Sequence, residues 1–263
     1  MSDKSISYDY IFGFGSIMDT STHATWQTTN SPSITMPGSV VTLSKRFGYQ
    51  RQWNFRSTTG FTALGVSKAS REGESCDING VLFQVPRDEM PNFDRRESGY
   101  DRVGIPLEML KFHPEISGRH SQVLFQLNDS DRVWIYIPHA CHTMYADENH
   151  PLLQSYVDTV LRGCLDWGGE AMAEQFIQST GGWGTYFLND TPNSRRPWLY
   201  RKEYNTIDAL LKKYSNKTHY GDRRHPEEFA ASFNQRMRGT WSVRCIKQIP
   251  QLFNYNMLMH QRL

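Results

Sequence analysis

Two short segments carry residue types that could do chemistry together. The apolar run Tyr10-Ile11-Phe12 flows straight into Gly13-Phe14-Gly15-Ser16-Ile17-Met18. It reads as a strand ending in a glycine-punctuated loop, and such a loop can turn several backbone N–H groups towards one anion. Far along the chain, Phe93-Asp94-Arg95-Arg96-Glu97-Ser98-Gly99-Tyr100 sets one carboxylate just before a glycine turn. An anion cradle and a single positioned carboxylate are the minimum equipment for proton transfer on a small zwitterion. Each segment also has a plainer reading. Beside Arg95 and Arg96, Glu97 reads as a member of a surface ion pair, and Gly13-Phe14-Gly15 as a bulge or tight turn. Ser16 reads equally well as a cap for the segment after it. Tyr100 and Tyr156 read as core aromatics whose hydroxyls reach backbone partners.

The elements that must position these residues follow from periodicity. Tyr8–Gly13, Ser39–Ser44, Thr62–Lys68, Asn79–Val85, Gln122–Leu127 and Arg132–Ile137 are short, β-branched or aromatic, and bounded by turn formers, which predicts strands. Residues 20–37 are rich in Ser, Thr and Pro and read as a long loop. Pro86–Glu97 is expected to form a short helix with a proline in its first turn. The second half changes period. Leu152, Leu153, Tyr156, Val157, Val160, Leu161, Cys164 and Leu165 recur at helical spacing behind Pro151. Further helices are expected over Ala171–Gln178, Ile207–Tyr214 and Pro226–Met237. Strands first and helices later predict an α+β domain, with a mostly antiparallel, barrel-like sheet and flanking helices. That domain covers 8–215, and the polar, basic stretch 216–263 is expected to be an extension packing on the domain or on a partner.

At 263 residues and 38% hydrophobic, the chain can bury a sizeable core. Its 29 Lys+Arg against 27 Asp+Glu leave no global field that would favour nucleic acid or a membrane surface. No apolar run approaches the ~20 residues of a membrane span, and Met1–Ser7 lacks the apolar core of a secretion signal. Cys76, Cys141, Cys164 and Cys245 show no CxxC spacing and read as free thiols of a reducing compartment. His139, Cys141, His142 and His150 cluster near Asp147 and Glu148 and offer zinc-ligand chemistry. They lack CxxC or HExxH spacing, so no metal site is expected.

The loop GFGSIM, the segment DRRESGYDR and the strand Val133-Trp134-Ile135-Tyr136 together resemble the γ-glutamyl cyclotransferase superfamily, over roughly residues 10–200. The resemblance implies a small mixed β-barrel with flanking helices, no cofactor, no metal, and a small γ-glutamyl molecule as substrate in the cytoplasm. It implies that Gly13, Phe14, Gly15, Ser16, Ile17 and Met18 hold the γ-glutamyl group and that Glu97 is the acid/base. Tyr100 and Tyr156 would border the substrate. Ile17 departs from the Leu or Asn of many members and cannot make an Asn-type contact. The segments Asn189-Asp190 and Pro197–Arg201, and the C-terminal extension, receive no role, and oligomeric state is undetermined.

The chemistry suits these residue types. Releasing 5-oxoproline requires the substrate's own α-amine to attack its γ-carbonyl and close a five-membered ring. An intramolecular nucleophile comes at very high effective molarity, so no Ser or Cys nucleophile is needed. What is needed is a group that takes a proton from the α-ammonium and returns one to the leaving amine. Glu97 at a helix C-terminus would have its pKa raised by the dipole and by burial. Basic side chains such as Arg51, Arg102 or Arg196 would suit a second substrate carboxylate. The alternative is a catalytically silent relative that binds a small acidic ligand or a protein.

Overall fold

β1 (Tyr8–Gly13) is buried from Asp9 onward, as a strand with neighbours on both edges must be. The computed structural model describes residues 7–22, 36–69, 75–195, 201 and 203–227. Other strands are β2 (Gly38–Leu43), β3 (Tyr49–Arg56), β4 (Thr62–Lys68), β5 (Ile78–Pro86), β6 (Tyr100–Gly104), β7 (Leu110–Phe112) and β8 (Val133–Pro138). Six of them form one mixed sheet in the order β6-β8-β1-β5-β2-β7. β1 runs antiparallel to β5, with Gly13 opposite Val81, and parallel to β8, with Tyr10 opposite Val133. The architecture is α+β with a mostly antiparallel sheet, as the sequence predicts. Among the described residues this sheet is open, with β6 and β7 as its edges, and is not closed into a barrel. β3 and β4 pair separately as a two-stranded sheet.

The helices among the described residues are α1 (Met90–Arg96), the long α2 (Gln154–Ser179), a short α3 (Thr191–Ser194), α4 (Glu203–Lys213) and a short α5 (Ser215–Thr218). α2 is two helices merged across Gly169, whose φ of 65° and ψ of −162° break the spiral. The two expected helices therefore meet end to end there. Of the predicted helix Pro226–Met237 only Pro226 and Glu227 are described, both helical; residues 228–263 of the extension lie outside the described residues, as do residues 23–35 of the expected long loop.

The chain divides into two compact units. The first comprises 1–52, 64–143 and 159–181, and the second 53–63, 144–158 and 182–263. In the first, Ile11, Phe12, Val81, Leu82, Phe83, Ile135, Val160, Leu161 and Trp167 are all at most 2% exposed. Side chains of this size each contribute about 1.5–3 kcal/mol on burial. Arg51 is fully buried among them. Its guanidinium donates to the Asn79 carbonyl (2.7 Å) and Oδ1 (2.8 Å), Thr180 Oγ1 (2.8 Å) and Ser179 Oγ (2.8 Å), and lies 3.8 Å from the Phe176 ring centre. Burial pulls it down to about 10, still charged at neutral pH. Arg51 is thus a core pin rather than a basic group at a substrate mouth.

Gln122–Leu127 forms no strand. The Gln122 side-chain oxygen accepts from the Val40 N–H (2.7 Å), and the Val123 N–H donates to the Gly38 carbonyl (2.9 Å). A side chain has taken a ladder position on β2, so the segment follows that edge without entering the sheet.

In the second unit, β9 (Leu152–Leu153) and β10 (Phe187–Leu188) pair in parallel. Phe61, Ala63, Leu153 and Leu188 form an apolar cluster against which Phe55 and Tyr156 pack. Arg195 donates to both buried Asp158 (2.6 and 2.7 Å) and Asp208 (2.7 and 2.9 Å). The two carboxylates hold its guanidinium above its usual range. No helix among the described residues is long and apolar enough to cross a membrane.

Candidate active site

The loop after β1 is tightly built. Gly13 has no room for a side chain, since a Cβ there would stand 2.6 Å from Ile17 Cγ2 and 2.9 Å from the Phe83 ring. Ser16–Met18 then make one 3-10 turn behind Gly15, closed by Met18 N–H to the Gly15 carbonyl (3.0 Å) and Asp19 N–H to the Ser16 carbonyl (3.1 Å). No side chain caps this turn, so Ser16 is not the cap it might have been in sequence terms. Among the described residues, no group accepts from the N–H groups of Phe14, Gly15 and Ser16. Consecutive backbone donors left in this way can serve an anion where they turn towards it.

The far end of the loop is held by α2. Asp19, 1% exposed, pairs with Arg162 and accepts from Ser21 N–H (3.0 Å) and Oγ (2.8 Å). Trp167 Nε1 donates to the Met18 carbonyl (2.9 Å). Gly163 lets the helix press onto the chain here, because a Cβ would come within 2.7 Å of Met18 C and Asp19 N. None of Asp19, Arg162, Gly163 and Trp167 was singled out from sequence. The one available signal was a glycine inside a helical pattern, which often marks close backbone approach.

Glu97 sits where α1 ends. Its N–H closes the last turn on the Phe93 carbonyl (2.9 Å), and its own carbonyl accepts from Tyr100 N–H (2.8 Å). The Glu97 side chain is 25% exposed, with Oε1 3.4 Å from Arg96 Nε. Burial pushes its pKa above the usual carboxylate range, and the Arg96 charge opposes this without cancelling it. Folded Glu97 therefore keeps its proton to higher pH than the unfolded chain does. Folding loses stability as pH rises from the ordinary 4.5 through the raised value, and the loss is complete above it. Glu97→Gln does not titrate, so its melting temperature is expected to gain on the wild type across that window and then run parallel. Melts from pH 4 to 8, as a roughly neutral-to-acid series around the carboxylate range, check this; a constant difference would contradict it.

Both segments reach one apolar cluster. Ile11, Val85, Met90, Phe93 and Tyr136 form it, and Ile17 from the loop packs on it together with Tyr100 and Trp134. The Tyr136 hydroxyl donates to Asp94 Oδ1 (2.9 Å), and its pKa is raised by burial, by Asp94 and by the nearby Glu97 charge. Tyr100 donates its hydroxyl to the Leu64 carbonyl (3.2 Å), the plainer of its two readings. Arg102 pairs with Asp94 (3.3 Å) and covers the Trp134 ring at 4.9 Å. Arg196 lies outside the described residues. Tyr156 belongs to the second unit, where its ring lies 5.2 Å from Phe61 and 6.0 Å from Trp53.

The histidine and cysteine cluster divides. His139, Cys141 and His142 lie together in the first unit, with ligand atoms all within 4.8 Å of one another. His150 falls in the second unit, beside Asp147.

No protein-family model matches the sequence, and no curated protein matches it. Among solved structures, the chain is similar to YkqA from Bacillus subtilis, at 16% identity and a TM-score of 0.43, covering 66% of this chain. It spans 55% of YkqA's length. It is similar to the uncharacterized human protein loc79017 at 14% identity and a TM-score of 0.41, over 64% of this chain and 86% of that one. A structure named gamma-glutamyl cyclotransferase is 14% identical with a TM-score of 0.42, over 79% of this chain and 99% of that one. At such identities these are proteins the chain resembles, and its chemistry has to be argued from its own residues.

Proposed function

We propose that the chain is a γ-glutamyl cyclotransferase, releasing 5-oxoproline from a γ-glutamyl peptide or amine such as glutathione. The observation that carries this reading is Glu97, three-quarters buried with a raised pKa at the end of α1, the helix whose Phe93 belongs to the apolar cluster on which Ile17 of the Gly13–Met18 loop packs. In the reaction, Glu97 takes a proton from the substrate's α-ammonium, and the freed amine attacks the γ-carbonyl carbon. The new C–N bond closes the five-membered ring. The bond to the leaving amine then breaks as Glu97 returns the proton to it, and the second proton of the ring nitrogen passes to the freed amine, which departs as the ammonium. No water or cofactor is consumed. The N–H groups of Phe14, Gly15 and Ser16 are suited either to the α-carboxylate or to the oxygen on which negative charge grows.

A carboxyl with a raised pKa suits both halves of this cycle, since the best acid/base titrates near the working pH. A reducing, cytoplasmic setting fits the free thiols Cys76, Cys141 and Cys164. We assign the catalytic domain to 8–215 and an extension to the residues beyond. Incubating the purified chain with glutathione and a panel of γ-glutamyl dipeptides and amines, and following 5-oxoproline by mass spectrometry, tests the assignment. Stoichiometric 5-oxoproline and free amine are expected from at least one member. A folded protein that binds glutamate but turns over none of the panel would overturn it.

A further inference from the structure

We propose that His139, Cys141 and His142 form a three-ligand surface site for a borderline-soft divalent metal ion, zinc foremost. Two imidazoles and a thiolate are the donor set such ions take. Cys141 and His142 come from one 3-10 turn, Ala140–His142, and His139 is the residue that leads into it directly after β8. That turn is fixed by hydrogen bonds from His142 N–H to the His139 carbonyl (2.9 Å), Thr143 N–H to the Ala140 carbonyl (3.2 Å) and His139 N–H to the Gly99 carbonyl (2.9 Å). Thr143 Oγ1 adds a further bond to the His139 carbonyl (3.1 Å). The backbone is thus set before any ion arrives.

The side-chain geometry is close to what zinc requires. Tetrahedral zinc with usual Zn–N and Zn–S lengths spaces its ligand atoms about 3.4–3.6 Å apart. The three candidate atoms already lie within 4.8 Å of one another. Cys141 is exposed and both histidines are half-buried, so χ rotation can close the remaining ångström without disturbing a core. The His139 and His142 rings face the same way, 29° from parallel with centres 6.2 Å apart.

A fourth residue supports the site. Asp101 Oδ1 lies 3.2 Å from His139 Nε2, and Asp101 stands opposite Ile137 in the β6–β8 ladder. A carboxylate on one ring nitrogen fixes the tautomer and makes the other nitrogen a better ligand. In the bound state Nε2–H donates to Asp101, Nδ1 meets the metal, and the fourth metal position holds water. The Cys141 thiol gives up its proton on binding. Nothing in the cyclisation uses these residues, so the site stands or falls apart from the proposed activity.

The test is a cobalt(II) titration of the full-length, reduced, metal-free protein. One equivalent is expected to give intense visible bands of tetrahedral cobalt together with a thiolate charge-transfer band, both abolished by added zinc. Cys141→Ser should lose the charge-transfer band and His142→Ala the tetrahedral intensity. Asp101→Asn should weaken binding by roughly 10–100-fold, while Cys76→Ser changes nothing. Circular dichroism confirms that each variant remains folded. Absence of a saturable spectrum in the wild type would overturn the proposal, as would an unaltered spectrum in Cys141→Ser.

Discussion

Glu97→Gln is expected to slow 5-oxoproline release by about 10²–10⁴-fold, the usual worth of a general acid/base, with KM little changed. Gln keeps the size of the side chain and its place at the end of α1, but it can neither take the α-ammonium proton nor return one. Stability distinguishes this loss from a collapsed site. The wild type pays to hold a mostly buried carboxylate, so the Gln variant should melt no lower at neutral pH. Arg96→Ala offers a second check with an opposite sign. Arg96 is the charge that restrains the rise of the Glu97 pKa, so removing it moves the acidic limb of the kcat/KM profile to higher pH. An active Glu97→Gln enzyme, or an acidic limb unmoved by Arg96→Ala, would take Glu97 out of the mechanism.

What the sequence showed and hid has a physical pattern. β1 was legible to the residue because an apolar run stopped by glycine is a local signal, and Glu97 because a helix end before Ser-Gly is another. β3 was missed. Its Gln50, Arg51, Gln52 and Asn54 read as surface, yet the last three are buried. Partners distant in sequence make this tolerable: Arg51 is satisfied by Asn79, Ser179 and Thr180, and no local pattern announces them. Gln122–Leu127 failed for the converse reason. Its residues suit a strand, but the Gln122 amide took the ladder position. The barrel expectation came from the run of short strands as well as from the family resemblance, whereas closure depends on edge strands, and the exposed pattern of β6 gave little sign even that it was a strand. The cradle's local half was readable. Its fastening by Arg162 and Trp167, 143 and 149 residues from the groups they hold, was not.

That fastening makes Trp167 the most sensitive position outside the chemistry itself. Trp167 is 2% exposed, stands edge-on to Phe83 at 5.7 Å and donates to the Met18 carbonyl. Trp167→Ala is expected to cost about 3–5 kcal/mol, as large-to-small changes in a filled core do, read as a fall in the denaturation midpoint. Trp167→Phe separates packing from positioning. It keeps most of the ring but leaves the Met18 carbonyl without its donor, a loss of about 1–3 kcal/mol. Gly163→Ala pits two effects against each other. Ala favours helix by about 1 kcal/mol, but its Cβ would meet backbone atoms of Met18 and Asp19 at 2.7 Å, and backbone yields less readily than side-chain ends. Overpacking of this kind costs about 1–3 kcal/mol, so the variant should be net destabilised despite its better propensity. If the loop cradles the glutamyl head, Trp167→Phe and Gly163→Ala should also raise KM, while the pH profile set by Glu97 keeps its shape. A Gly163→Ala protein more stable than the wild type would show that α2 does not clamp the loop as described.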